Sequence, residues 1–132
     1  MRPSQLYSFL RQHGIPLFDE YGKDDYVLDI SFASLFIEMA ENEFIPIIGG
    51  DVYLKKGSKL LFGDYYWLSW SCERQVGEDF DQKSYFDRSI KMAKEQLVKI
   101  ETVMLRRNIV KKIMHKEAIA LYINFAILNE VL

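Results

Sequence analysis

The side chains of this chain that could do chemistry are few and far apart. Cys72 is the only cysteine, and the two histidines are His13 and His115. A zinc centre needs three or four such ligands, so this set predicts no metal site. A Cys–His nucleophile pair requires a fold that brings a histidine to the thiol. Cys72 follows an apolar run, where a thiol packs rather than reacts. Phosphate cradles use a glycine-rich loop running into a helix N-terminus. Gly49-Gly50 lacks the third glycine, the lysine and the helix. The remaining candidate is Asp51, in Ile45-Pro46-Ile47-Ile48-Gly49-Gly50-Asp51-Val52-Tyr53. The residues therefore predict no catalytic constellation and no cofactor.

The elements that must position Asp51 follow from local pattern. Glycine adopts positive φ at little steric cost. Gly49-Gly50 thus predicts two extended segments around a tight turn or bulge, with Asp51 at or near the bend. Pro46 lacks an amide donor and places the first segment at an edge or at a strand start. Upstream, Ser4 caps a short helix from Gln5 to His13, stopped by Gly14 and Pro16. A loop rich in Asp and Gly covers 19–25. Ser31 caps a second helix reaching Asn42, with Phe32, Leu35, Phe36 and Met39 as its apolar stripe.

Downstream, Lys55 to Lys59 reads as a polar turn and Leu60 to Phe62 as a short return. After the Gly63-Asp64 turn, Tyr65 to Cys72 alternates like a strand, with Tyr66, Leu68, Trp70 and Cys72 inward and Tyr65, Trp67, Ser69 and Ser71 outward. Glu73 to Gln82 is the longest loop. Phe86, Ile90, Ala93, Leu97, Ile100 and Met104 recur at helical spacing and predict a long helix from Lys83 to Arg107. Asn108 to His115 fits either a further helical turn or another strand. Ile119, Leu121, Ile123, Phe125 and Ile127 share one parity, which predicts a central strand from Lys116 to Asn129. Helices gather at the ends and strands in the middle. The fold class is α+β: a mostly antiparallel sheet packed against a long helix, with short N-terminal helices.

At 132 residues, 49% of them hydrophobic, the chain reads as a single domain over 1–132. The net charge of −2 is unevenly spread. Residues 1–54 hold nine acids and three bases, and residues 55–132 hold fourteen bases and ten acids. Asp24, Asp25 and Asp29 lie in the acidic half and suit an electrostatic rim. A lone cysteine fits a reducing compartment. No apolar run approaches the ~20 residues of a membrane helix, and Met1 to Gln5 begins no signal peptide. The expectation is a cytoplasmic protein with no membrane partner. The acidic total and the lack of aromatics among the bases argue against nucleic acid.

Tyrosine and tryptophan dominate binding hot spots, which makes the cluster Asp64-Tyr65-Tyr66-Trp67-Leu68-Ser69-Trp70 a candidate contact surface. The nine-residue Gly-Gly motif, preceded by the helix from Ser31 to Asn42, resembles a pattern in bacterial polymorphic-toxin immunity proteins. It is most similar to immunity protein family 40, over roughly 26–129. The resemblance implies a small antidote that binds a cognate toxin domain and occludes its active surface, with no chemistry of its own. Chemistry, rather than the resemblance, nominates the contacts: Asp51, Tyr53, Asp64, Tyr65 and Trp67, with Asp24, Asp25 and Asp29 around them. Two other readings remain. One is a small enzyme or nucleotide-binding domain centred on the Gly-Gly-Asp turn, after the Gly-Gly-Asp/Glu-Glu-Phe hairpin of diguanylate cyclases, although Val52 replaces the second acid. The other is an interaction domain unrelated to toxins.

Overall fold

The period-two apolar run near the C-terminus forms the middle of the sheet. In a computed structural model, which describes residues 4–17 and 25–128, β6 (Ala120–Ile127) lies between β2 (Tyr26–Asp29) and β3 (Ile47–Lys56). Strand β1 (Ile15–Pro16) flanks β2. The free edge of β3 takes β4 (Lys59–Leu61) at one end and β5 (Trp70–Ser71) at the other. The main path is β1-β2-β6-β3-β4, and every pairing is antiparallel.

Three α-helices, α1 (Ser4–His13), α2 (Ala33–Asn42) and α3 (Lys83–Ile113), complete the described α+β architecture. The main core holds Leu121, Ile123 and Phe125 of β6 and Val52 and Leu54 of β3, together with Leu6, Phe36, Ile90 and Leu97 of the helices. Each large side chain fully buried there contributes ~1.5–3 kcal/mol. The opposite parity of the strands supplies a smaller cluster of Leu17, Val27, Tyr53 and Leu60, with Ile15 and Tyr122 packed on it.

Helix α3 runs six residues beyond the expected Arg107, so Asn108 to Ile113 is helical rather than extended. Its 31 residues make a rod of about 46 Å at 1.5 Å per residue. The buried face is Tyr85, Ser89, Ile90, Ala93, Leu97 and Ile100. Phe86 and Met104, expected in that seam, are only partly buried against the core. The helix ends in a Schellman turn: His115 N–H donates to the Lys112 carbonyl at 3.1 Å and Lys116 N–H to that of Lys111 at 2.7 Å. His115 takes the left-handed position at φ 57°. The end of α2 repeats the device, with Phe44 at φ 56° and Ile45 N–H donating to the Ala40 carbonyl at 2.9 Å.

Several expectations change. The cap ahead of α2 is Asp29, not Ser31: its carboxylate accepts from Ser31 N–H at 2.9 Å and opens a 3₁₀ turn, Ile30–Phe32. Leu35 is 49% exposed, and the buried face of α2 is Ala33, Phe36, Ile37 and Ala40. The segment Tyr65 to Cys72 is not one strand. Tyr66–Leu68 forms a 3₁₀ turn, and only Trp70–Ser71 pairs with the sheet. Tyr65, expected outward, is 8% exposed, and Tyr66, expected inward, is 59% exposed. A 3₁₀ turn repeats every three residues, so the period-two reading puts these two rings on the wrong sides.

The Gly-Gly motif changes most. Gly49, Gly50 and Asp51 lie inside one continuous strand, β3, not at a bend between two. Neither glycine has positive φ; among the described glycines that property belongs to Gly57 and Gly77. A register slip between Ile47 and Gly49 does leave Ile48 as an irregularity of the bulge kind. The glycines are required by close approach. A Cβ on Gly49 would lie under 3.0 Å from the Trp70 carbonyl oxygen, and one on Gly50 under 3.0 Å from the Trp70 ring. Backbone and indole of β5 thus occupy the space that side chains would need.

Candidate functional site

Register places three of the nominated residues on one face of the sheet. Asp51 pairs with Asn124 and Tyr53 with Tyr122, while Tyr122 also pairs with Asp29. Residues two apart on a strand share a face, so Asp51 and Tyr53 lie on the side of the smaller cluster. A row crosses the sheet here from Asp29 through Tyr122 to Tyr53. It continues into Phe62, whose ring centroid is 5.3 Å from that of Tyr53, and then Tyr66, 6.4 Å from Phe62. Burial, and then the negative charge of Asp29 beside it, raises the Tyr122 phenol above its ordinary value. Lys55 Nζ stands 5.8 Å over the Tyr122 ring.

Exposure divides this row into buried and exposed rings. Tyr53 is 2% exposed and anchors the row from inside. Phe62 and Tyr66 are exposed, and Trp67, beside Tyr66, is 46% exposed as expected. The Trp67 indole N–H donates to the Asp64 carbonyl at 3.2 Å, which fixes it across the turn. Ser69 Oγ accepts from Val52 N–H at 3.0 Å and ties this connection to the edge of β3. The result is an aromatic corner where the chain passes from β4 to β5. Tyr65 backs Trp67 from the core, with ring centroids 6.4 Å apart.

The other nominated residues scatter. Asp64 is exposed in the turn. Asp25 stands at the start of β2, where its carboxylate accepts from the Tyr26 N–H at 2.8 Å. Asp24 lies outside the described residues. Sequence reasoning missed Tyr122, Asn124 and Phe62 at this face, and turned Tyr66 inward. Only the register of β6 against β3, a long-range property, could have found the first two. Asn124 is buried and donates to the Tyr26 carbonyl at 2.8 Å.

Cys72 and His13 are both held in packed surroundings. Cys72 is buried, and its backbone carbonyl accepts from the Tyr85 hydroxyl at 2.6 Å. Burial raises the Tyr85 phenol to about 12. Arg88 donates to the Glu73 carbonyl at 3.0 Å and pairs with the buried Glu78. Glu78 also accepts from Gln75 N–H at 2.9 Å and Ser84 Oγ at 2.8 Å. The Gln75 amide holds its carboxyl below the usual range, Ser84 and Arg88 add to this, and burial opposes it. These bonds bind the loop after β5 to the start of α3. His13 stacks on Phe32 with centroids 4.6 Å apart. Among the described residues no three His, Cys, Asp or Glu side chains are grouped to hold a metal ion. No described helix is long and apolar enough to cross a membrane.

Fold and corner together define an α+β scaffold with aromatic side chains gathered at a sheet edge, the composition that protein-contact surfaces favour. The model of the family described as immunity protein 40 matches residues 16–118, and the chain belongs to that family. The match begins at β1 and runs past the end of α3, so it takes in the Gly-Gly strand, the aromatic corner and the long helix. Neither a curated protein nor a solved structure gives a match.

Proposed function

We propose that this protein is the immunity partner of a bacterial polymorphic toxin, binding the toxin domain and occluding its active surface without chemistry of its own. The family match over 16–118 carries the reading. The contact we assign is the aromatic corner: Phe62, Tyr66 and Trp67 supply apolar area with few rotors, and Asp51 and Asp64 supply charge beside it. Tyr53 and Tyr65 support that surface from within. Asp25 and Asp29, with Asp24 in the sequence before them, form an acidic flank suited to a basic toxin surface.

The diguanylate-cyclase comparison loses its basis. The Gly-Gly-Asp segment is mid-strand rather than on a hairpin tip, and Val52, at the place of the second acid, is fully buried.

Co-expression with the toxin reading frame beside its gene tests the proposal. Cells should survive with the native protein and die with the Trp67→Ala, Tyr66→Ala double variant, although that variant stays folded. Equal killing with and without the native protein would end it.

A further inference from the structure

A second surface has the opposite electrostatic sign. Three elements converge beyond the end of the main core: the hairpin between β3 and β4, the distal part of α3, and the segment leading into β6. Between them lies a cleft of about 540 Å³. Its bases are Lys56 from the hairpin, Arg107 and Lys111 from α3, and Lys116 from the last segment, against two acids, Asp64 and Glu117. Lys55 also borders it, but its ammonium stands over the Tyr122 ring on the opposite face of the sheet. Its apolar lining includes Leu54, Tyr65 and Ile119.

The walls are held in place. Asn108 of α3 clamps the backbone of Ile119 at two points, accepting from its N–H at 2.7 Å and donating to its carbonyl at 3.2 Å. The hairpin turns at Gly57, where φ is +62°. Among the described residues the ion pairs are Lys83–Asp87, Arg88–Glu78 and Lys94–Glu41, and none uses a base of this cleft. Several like charges around one concavity repel one another, and an anionic occupant relieves that repulsion.

We infer that this cleft binds an acidic peptide segment of a protein partner, with carboxylates on Lys56, Arg107, Lys111 and Lys116 and an apolar side chain over Leu54, Tyr65 and Ile119. The lining decides against nucleic acid. Asp64 and Glu117 would meet a continuous phosphate backbone unfavourably, whereas a peptide spaces its carboxylates between neutral groups. A second copy docking symmetrically would set these bases against their own copies. The inference goes beyond the proposed function, since it concerns an adjoining basic cleft that shares only Asp64 and Tyr65 with the aromatic corner and does not require the partner to be a toxin.

The test is fluorescence anisotropy on the full chain. The probe is a short labelled peptide with glutamates on both sides of a phenylalanine, and a matched peptide carries glutamines instead. The acidic peptide should bind saturably and weaken with added salt. The Arg107→Glu, Lys111→Glu double variant should weaken it about tenfold or more. Lys99→Glu, on the same helix but outside the cleft, should leave binding unchanged. Circular dichroism should show all variants folded. Binding that ignores the double variant, equal binding of the glutamine peptide, or a single-stranded oligonucleotide that binds more tightly and loses affinity in the same variant would each overturn the inference. None of these outcomes bears on protection from a toxin, which is read by survival.

Discussion

Replacing Gly50 by alanine should destabilise this protein because of one neighbouring side chain. The backbone there has no positive φ, so alanine fits it and should by itself add ~0.4–1 kcal/mol by restricting the unfolded chain. The new methyl, however, would be under 3.0 Å from the Trp70 ring. That ring sits edge-on to Phe125, with centroids 6.0 Å apart at 81°, and cannot swing away without breaking this contact. Overpacking of this kind costs ~1–3 kcal/mol. The expected net loss is about 1–2 kcal/mol, or roughly 3–8 °C in Tm for a chain of this size. In a Trp70→Leu background the obstacle is gone, and Gly50→Ala should become neutral or stabilising, with a coupling of about 1–3 kcal/mol. Urea unfolding of the four proteins, compared at constant m, measures it. Gly49→Ala is the control. Its obstacle is the Trp70 backbone oxygen, so Trp70→Leu should not rescue it. If Gly50→Ala has the same effect in both backgrounds, the steric account of the glycine pair is wrong.

Other outcomes follow from caps, charges and burial. His115→Gly should stabilise the protein by about 1 kcal/mol in urea unfolding, because the left-handed C′ position costs a side chain ~1–2 kcal/mol that glycine avoids. Glu78 has a lowered pKa in the folded state. Its contribution is present above the ordinary carboxylate value of about 4.3 and is lost as pH falls through the folded value. Glu78→Gln should therefore lower stability at neutral pH and flatten the acid limb of a stability–pH curve. An unchanged limb would count against the Gln75, Ser84 and Arg88 contacts. Tyr65→Ala should cost ~3–5 kcal/mol as a buried aromatic truncation, whereas Trp67→Ala should stay within about 0.5–1 kcal/mol. Equal losses would contradict the division of this corner into support and contact.

Local pattern determined the element types wherever periodicity was long. The single parity of Ile119, Leu121, Ile123, Phe125 and Ile127 identified the central strand, since strict period two with branched residues fits a strand and not a helix. The structure gives β6 as Ala120–Ile127, shorter than the expected start at Lys116. The steps of three and four from Phe86 to Ile100 identified α3. The turn and return expected over Lys55 to Phe62 are present, although the turn is confined to 57–58 and Lys55, Lys56 and Lys59 are in strands. The motif at 45–53 supported the family resemblance that the match over 16–118 bears out. What only the tertiary structure decided was the reason for that motif and the side each aromatic takes. Gly49-Gly50 signals conformational freedom when read alone. In the fold it is a gap that Trp70 fills, and an indole twenty residues away leaves no trace in local pattern. Tyr65 and Tyr66 exchanged sides because a single 3₁₀ turn is too short to show its own period. Register brought Tyr122 to Tyr53 and Asn124 to Asp51, and convergence gathered Lys56, Arg107 and Lys116 around one cleft. Packing and pairing set such long-range neighbours, whereas periodicity records only which face of its own element a residue takes.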